Sequence, residues 1–249
     1  MAIDMHIHLD QSSTGDVKDI LSILDRQKVD GALVMTLAGI FSSCINHEEE
    51  NNKVKSFCKQ APRRLYPAFT INPLMGNKAI DEIYRCRKEL NIKVLKLHPW
   101  TQGFSVSSPE MREVAKLCQK LGIAIIFHDG TPPYSTPLQI ASLARDFPNL
   151  RIISGHSGLF DLWENAIQAA QRYPNYYLCL CGPTMRAMQR IVDEVPAEQI
   201  CVGSDMCGSM EDILWYRWEK FRGLKISEDR RRIIEDETPK KLLELYKDD

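Results

Sequence analysis

Two histidines lie one residue apart near the start of the chain, in Met1-Ala-Ile-Asp-Met-His6-Ile-His8-Leu-Asp10. Ile3, Met5, Ile7 and Leu9 alternate with Asp4, His6 and His8, the period of a β-strand. On a regular strand the two imidazoles project from one face, their Cβ atoms roughly 6–7 Å apart. Two imidazoles so placed can hold one metal ion, although an isolated His-x-His pair more often marks ordinary strand residues. Of the chain's six histidines, three more (His98, His128 and His156) each follow or close an apolar run. Asp205 closes another, in Val202-Gly-Ser-Asp205-Met, where it also reads locally as a helix cap or turn residue. The sixth, His47, precedes a charged helical stretch and reads as a solvated residue or a helix-start contact. Neutral imidazoles with one carboxylate suit Zn²⁺ first, with Mn²⁺, Fe²⁺ or Co²⁺ as alternatives. Three or four such ligands with an open position are the pattern of a catalytic metal, since a structural zinc is closed and usually thiolate-rich.

Strands that carry these residues are expected at the first ten residues, Gly31–Leu37, Leu65–Ile71, Ile92–His98, Ile123–His128, Leu150–Ser154, Tyr176–Cys181 and Gln199–Gly203. Helical spacing falls between them, at Gly15–Val29, Asn46–Gln60, Asn77–Leu90, Pro109–Leu121, Leu138–Asp146, Leu159–Arg172 and Arg186–Val195. Asp212–Arg222 and Glu228–Tyr246 are expected as closing helices. Eight strand-then-helix units in 249 residues are the size and order of an α/β (β/α)8 TIM barrel, read as one domain over residues 1–249. A doubly wound sheet is the alternative, but no Gly-x-Gly-x-x-Gly turn follows the first strand. In a barrel all strand carboxyl ends meet at one mouth. His6, His8, His98, His128, His156 and Asp205 would then share one pocket, and the metal reading of Asp205 becomes the stronger.

Composition narrows the partners. An apolar content of 44%, a net charge of −1 and a pI near 6.6 suit an ordinary soluble protein and give no support for nucleic acid or an anionic membrane as a standing partner. No run approaches the roughly 20 apolar residues that span a bilayer, and the N-terminus lacks signal-peptide features. The eight cysteines form no C-x-x-C pair, so reduced, mostly buried thiols and a cytoplasmic location are expected.

Five motifs in order, Asp4-x-His6-x-His8-Leu, Lys96-Leu-His98-Pro, Phe127-His128-Asp-Gly, Ser154-Gly-His156-Ser-Gly and Gly203-Ser-Asp205, resemble the amidohydrolase superfamily. More narrowly, they are similar to the amidohydrolase-related branch that includes aminocarboxymuconate-semialdehyde decarboxylase. The resemblance spans essentially the whole chain. It implies that His6, His8, His128 and Asp205 are metal ligands and that His156 is a catalytic residue beside them. A homodimer is a family-level expectation. The chain departs from the family at Glu237-Thr-Pro239, where Glu-Asn-Ala is common, and it lacks the insertions that cover the active site in longer members.

Other residues carry two readings each. Lys96 shares parity with His98 and either is a carbamylated bridge between two metals, as in binuclear members, or pairs with a barrel carboxylate such as Asp4. His98 is expected to touch substrate or the metal's surroundings. Cys179 and Cys181 read as packing inside the barrel. Trp100, Tyr134 and Arg186 lie in loops at the mouth; Arg186 is placed to grip a substrate carboxylate or is a solvated surface residue. The expected function is metal-dependent hydrolysis of a small ester, lactone or amide, with Asp205 as base for the attacking water and His156 stabilising the oxyanion. Decarboxylation of a small unsaturated or aromatic acid is the alternative. A TatD-like nuclease and a non-catalytic metabolite-binding barrel rank lower.

Overall fold

Each apolar run becomes a short parallel strand, because helices outside and packed side chains inside cover both its faces. The computed structural model describes residues 1–10, 16–41 and 43–245; Gly15 and Tyr246, expected as helix ends, lie outside them. The strands are β1 (Ile3–Leu9), β2 (Gly31–Thr36), β3 (Leu65–Pro67), β4 (Val94–Leu97), β5 (Ala124–Phe127), β6 (Ile152–Ser154), β7 (Tyr176–Cys179), β8 (Ile200–Cys201) and the short β9 (Met206–Cys207). They pair in two arcs, β3-β2-β1-β9 and β4-β5-β6-β7-β8. Phe69, just past β3, bridges Leu95 of β4, and the Lys96 amide donates to the Phe69 carbonyl at 2.8 Å. At the other seam the Met5 amide donates to the Val202 carbonyl at 2.8 Å. The two seams close the arcs into a TIM barrel, in which β9 is the upper end of the eighth strand.

The helices are α1 (Val17–Arg26), α2 (His47–Cys58), α3 (Asn77–Lys88), the one-turn α4 (Pro99–Gln102), α5 (Pro109–Leu121), α6 (Pro137–Asp146), α7 (Trp163–Arg172), α8 (Met185–Glu194), α9 (Glu211–Arg222), α10 (Glu228–Arg232) and α11 (Thr238–Leu243). Side-chain caps start many of them; Thr136 and Gln139 form a reciprocal capping box at α6. Two expected helices change. The stretch expected to be helical from Leu159 begins only at Trp163, because Ser157, Gly158 and Leu159 all have positive φ. The closing helix expected from Glu228 is broken by a π-helical turn at Ile233–Glu237. Pro239 has no N–H for the carbonyl four residues earlier, and the backbone widens there. Leu242 and Leu243 of α11 join the interior cluster of Ile3, Met5, Leu33, Val94, Ala124 and Ile153, covering the amino end of the barrel. Among the described residues no helix is long and apolar enough to cross a membrane.

One irregularity matters for everything at the mouth. The β1–β2 register runs Asp4↔Ala32 and then Ile7↔Val34, so Met5 and His6 together face Leu33. That two-against-one step is a β-bulge, which reverses the inside–outside parity of a strand. Asp4, expected on the same face as His6 and His8, is therefore turned to the helix layer. Its carboxylate accepts from Trp218 Nε1 of α9 at 2.8 Å and from the amides of His6 at 2.9 Å and Ser204 at 3.0 Å. With its oxygens so engaged, Asp4 is not the partner of Lys96. Trp218→Phe should cost about 1–3 kcal/mol, because it strips a donor from a fully buried carboxylate. Urea unfolding measures this, and an unchanged midpoint would mean that the bond carries no net stability.

Candidate active site

The bulge delivers His6 and His8 to the barrel interior, where Asp205 meets them. Asp205 has a φ of +63°, a left-handed conformation that Asp tolerates better than most residues, and its amide donates to the His6 carbonyl at 2.8 Å. The residue two positions earlier must be small: a Cβ on Gly203 would lie 2.7 Å from the His6 Cβ and 2.6 Å from the Cys179 sulfur. His6 Nε2 and His8 Nε2 are 3.2 Å apart, and Asp205 Oδ1 lies 3.4 Å from the first and 3.3 Å from the second.

The outer nitrogens fix the tautomers. His6 Nδ1 faces the Gly155 carbonyl at 3.2 Å and His8 Nδ1 the Thr36 carbonyl at 3.3 Å, so each neutral ring carries its proton on Nδ1 and aims a bare Nε2 at the other. Thr36 is itself held by Glu50, whose Oε2 accepts from the threonine hydroxyl at 2.7 Å. Three acceptors thus converge with no hydrogen between them, an arrangement that a cation relieves. Ligands bound at about 2.0–2.1 Å in a tetrahedral array stand about 3.3–3.4 Å apart. The residues fit a divalent metal.

Lys96 is fully buried, and its Nζ lies 3.0 Å from His6 Nε2, a donor facing the acceptors. Burial pushes its pKa down. Burial, with the Lys96 charge added, pushes His6 well below its ordinary range and His98 down to about 3; burial and His156 lower His128. Burial works to raise the Asp205 carboxyl, but any proton that the cluster takes up on His6 or His8 faces it and holds it below the usual carboxylate range. Below its ordinary pKa of 10.5, down to its depressed folded value, Lys96 binds a proton in the unfolded chain that it lacks in the folded one. The stability of metal-free protein therefore rises with pH across that interval. Lys96→Met should flatten this rise in the pH range just below 10.5, as read by thermal unfolding; a slope equal to wild type would place its origin elsewhere.

The remaining histidines form the far wall. His128 stacks on His98 with ring centroids 3.7 Å apart and meets His156 edge-on at 4.3 Å. Among the described residues, His6, His8 and Asp205 form one donor group with all ligand atoms within 4.8 Å, and His6, Cys179 and Cys181 another; His128 is in neither. His98 Nδ1 accepts from the Thr101 amide at 3.4 Å, leaving its proton on Nε2. His156 Nδ1 lies 2.9 Å from Cys181 Sγ, while its buried Nε2 has no partner among the described residues.

The ionisable residues of this pocket lie on or just after β1, β4, β5, β6, β7 and β8, and the amidohydrolase model Amidohydro_2 fits residues 3–245. The chain belongs to the amidohydrolase family. It is an enzyme of that superfamily. Three similar solved structures each cover almost all of this amidohydrolase. They are 2,6-dihydroxybenzoate decarboxylase from Rhizobium (16% identity, 98% of this chain and 99% of that one, TM-score 0.76), a dihydroxybenzoic acid decarboxylase from Polaromonas with manganese and 2-nitroresorcinol bound (16%, 99% and 97%, 0.75), and 4-oxalomesaconate hydratase from Rhodopseudomonas palustris (14%, 98% and 96%, 0.74). At such identities the likeness is one of fold. No curated protein matches the amidohydrolase sequence significantly.

Other expected residues stand further out. Trp100 is exposed but its ring is 6.5 Å from that of His98; Tyr134 is half-buried, and Arg186 is exposed on the first turn of α8. His47 is not solvated: it is 6% exposed at the start of α2, where burial lowers its pKa. The sequence reading passed over Asp129, which lies next to His128 and is fully buried. The only signal was an acid following a strand-end histidine. Cys181, read as packing, touches His156; the eight cysteines are all free thiols, six of them buried.

Proposed function

We propose that this amidohydrolase is a divalent-metal-dependent carboxy-lyase acting on a small aromatic or unsaturated acid. The observation that carries the reading is the unpartnered, buried Nε2 of His156 beside the His6–His8–Asp205 acceptors, a place for a proton donor rather than a nucleophile. In support, two of the three solved relatives are decarboxylases of aromatic acids, which moves this reading ahead of hydrolysis. His6, His8 and Asp205 would hold the cation, with His128 as a fourth ligand after a turn of its ring away from His98. When bound, the cation acts as a Lewis acid for substrate oxygens and the charge that develops on them. Manganese in one relative puts Mn²⁺ level with Zn²⁺.

The side chains do the rest. Lys96 and the Nε2–H of His98 donate to the anionic substrate, in place of the exposed Arg186. Protonated His156 gives its Nε2 proton to the carbon that bears the carboxylate. The bond to the carboxylate then breaks, CO₂ leaves, and the electron pair of that bond restores the π system whose electrons had formed the new C–H bond. Water restores the proton to His156. One proton is consumed for each CO₂ released. Hydrolysis of an ester, lactone or amide is the second reading, favoured by an ionised Asp205 whose side chain is 37% exposed and can face water. The nuclease and non-catalytic readings gain nothing from the family match.

Purified protein, stripped and reloaded with Mn²⁺ or Zn²⁺, is to be assayed with hydroxybenzoates, unsaturated acids, lactones and esters. CO₂ release in D₂O, with one deuterium at the carbon that lost the carboxylate, is expected. Hydrolysed product without CO₂ would replace the lyase by the hydrolase.

A further inference from the structure

Directly after β6 the chain makes an unusual turn. Ser157, Gly158 and Leu159 have φ values of 48°, 82° and 56°, three left-handed residues in a row of which only one is glycine. Gly158 is required there, because a Cβ would lie 2.4 Å from the Leu162 backbone. A leucine in this region is a true outlier, and each such residue persists only where its surroundings over-determine it. What fixes this turn is Asp129. Its Oδ1 accepts from the His156 amide at 2.6 Å, and its Oδ2 accepts from the Gly158 amide at 2.6 Å and the Ser154 hydroxyl at 2.5 Å. Amides that converge on one point in left-handed backbone make an anion-binding concavity, and here a side chain of the same protein fills it. Leu159 then packs on Gly130, where a Cβ would come within 2.8 Å of its side chain, so the β5 and β6 loops are clasped together.

The clasp has one functional side chain at its centre. His156 is pinned through its own amide by Asp129 and through Nδ1 by Cys181, and these two contacts set where Nε2 points. Asp129 makes no hydrogen bond to His6, His8 or Asp205, and none of its three bonds is exposed to solvent. We infer that Asp129 is a positioning residue: its carboxylate, as an internal anion in the turn after β6, holds the His156 ring at the angle the reaction needs. The inference rests on the lyase reading for the name of the reaction, but not for the geometry.

Asp129→Asn keeps the size and one acceptor but sets an NH₂ group against an amide or hydroxyl donor, so the turn should relax. Misplacement of a reacting group by about 1 Å costs on the order of 10²-fold in rate. The expected result is kcat lower by about that factor, KM within about threefold, and bound metal per chain unchanged. A second readout needs no activity: diethylpyrocarbonate acylation of each histidine, followed by peptide mass spectrometry. His156 should react at least about tenfold faster in the variant, while buried His47, far from the turn, keeps its wild-type rate. Should Asp129→Asn fail to fold, Ser154→Ala removes one of the three bonds and should give a smaller change of the same kind. Folded variants with wild-type kcat and wild-type His156 acylation overturn the inference, as does metal loss equal to that of His8→Ala. If wild type releases no CO₂ from any acid, the lyase reading falls, and the acylation result alone decides the role of Asp129.

Discussion

His8→Ala is expected to lower metal affinity by more than about 10²-fold and to take activity with it at any limiting metal concentration. The ring is 4% exposed, and its Nε2 is one of three acceptors that face one another. Loss of a residue that merely supports a metal ligand costs about 10–100-fold, so loss of a donor should exceed that range. The same substitution should leave metal-free protein about as stable as wild type, because it removes one of the lone pairs crowded at 3.2–3.4 Å. Stability separates the two effects. At a metal concentration of 100 Kd the wild type gains about 2.7 kcal/mol from binding, and the variant should gain almost none. Chelator-buffered titrations with metal analysis, and thermal unfolding with and without metal, measure both. A variant that binds metal as wild type does would remove His8 from the ligand set and, with it, the centre proposed here.

His156→Gln is expected to lower kcat by about 10²–10⁴-fold with metal content unchanged. Gln keeps much of the volume and a polar end but moves no proton, and loss of a positioned general acid or base has this size. The range corresponds to about 2.7–5.4 kcal/mol in the barrier. Retained metal separates His156 from the ligands: His8→Ala empties the site, whereas His156→Gln leaves it filled and slow. Deuterium placed in product by a variant at wild-type rate would show that another group delivers the proton, and the lyase mechanism would need a different donor.

Much of this was legible in the chain itself. The alternating first strand, the seven apolar runs after it and the helical stretches between them are local patterns, and local patterns decide strand, helix and order. His6 and His8 lie on the first strand, and His98, His128, His156 and Asp205 follow or close later runs, and in a barrel that alone brings them to one mouth. The closeness of Asp205 to His6 and His8 was not local, and neither was the burial of His47 at the start of α2. Asp4 illustrates the limit. Simple alternation puts it beside His6, and only the bulge against β2, a property of two strands paired in register, turns it to Trp218 and leaves Lys96 to His6.

Asp129 and Cys181 make the same point from the other side of the pocket. Both are unremarkable in sequence, an acid after a strand and a thiol in an apolar run. Each acquires its meaning from His156, on a different strand. Sequence determined the kinds of side chain and the strand ends they occupy, because hydrophobic period and turn chemistry are written residue by residue. Tertiary structure decided which nitrogen faces which oxygen. Register, bulge and barrel closure set those distances, and hydrogen bonds and metal bonds are sensitive to tenths of an ångström.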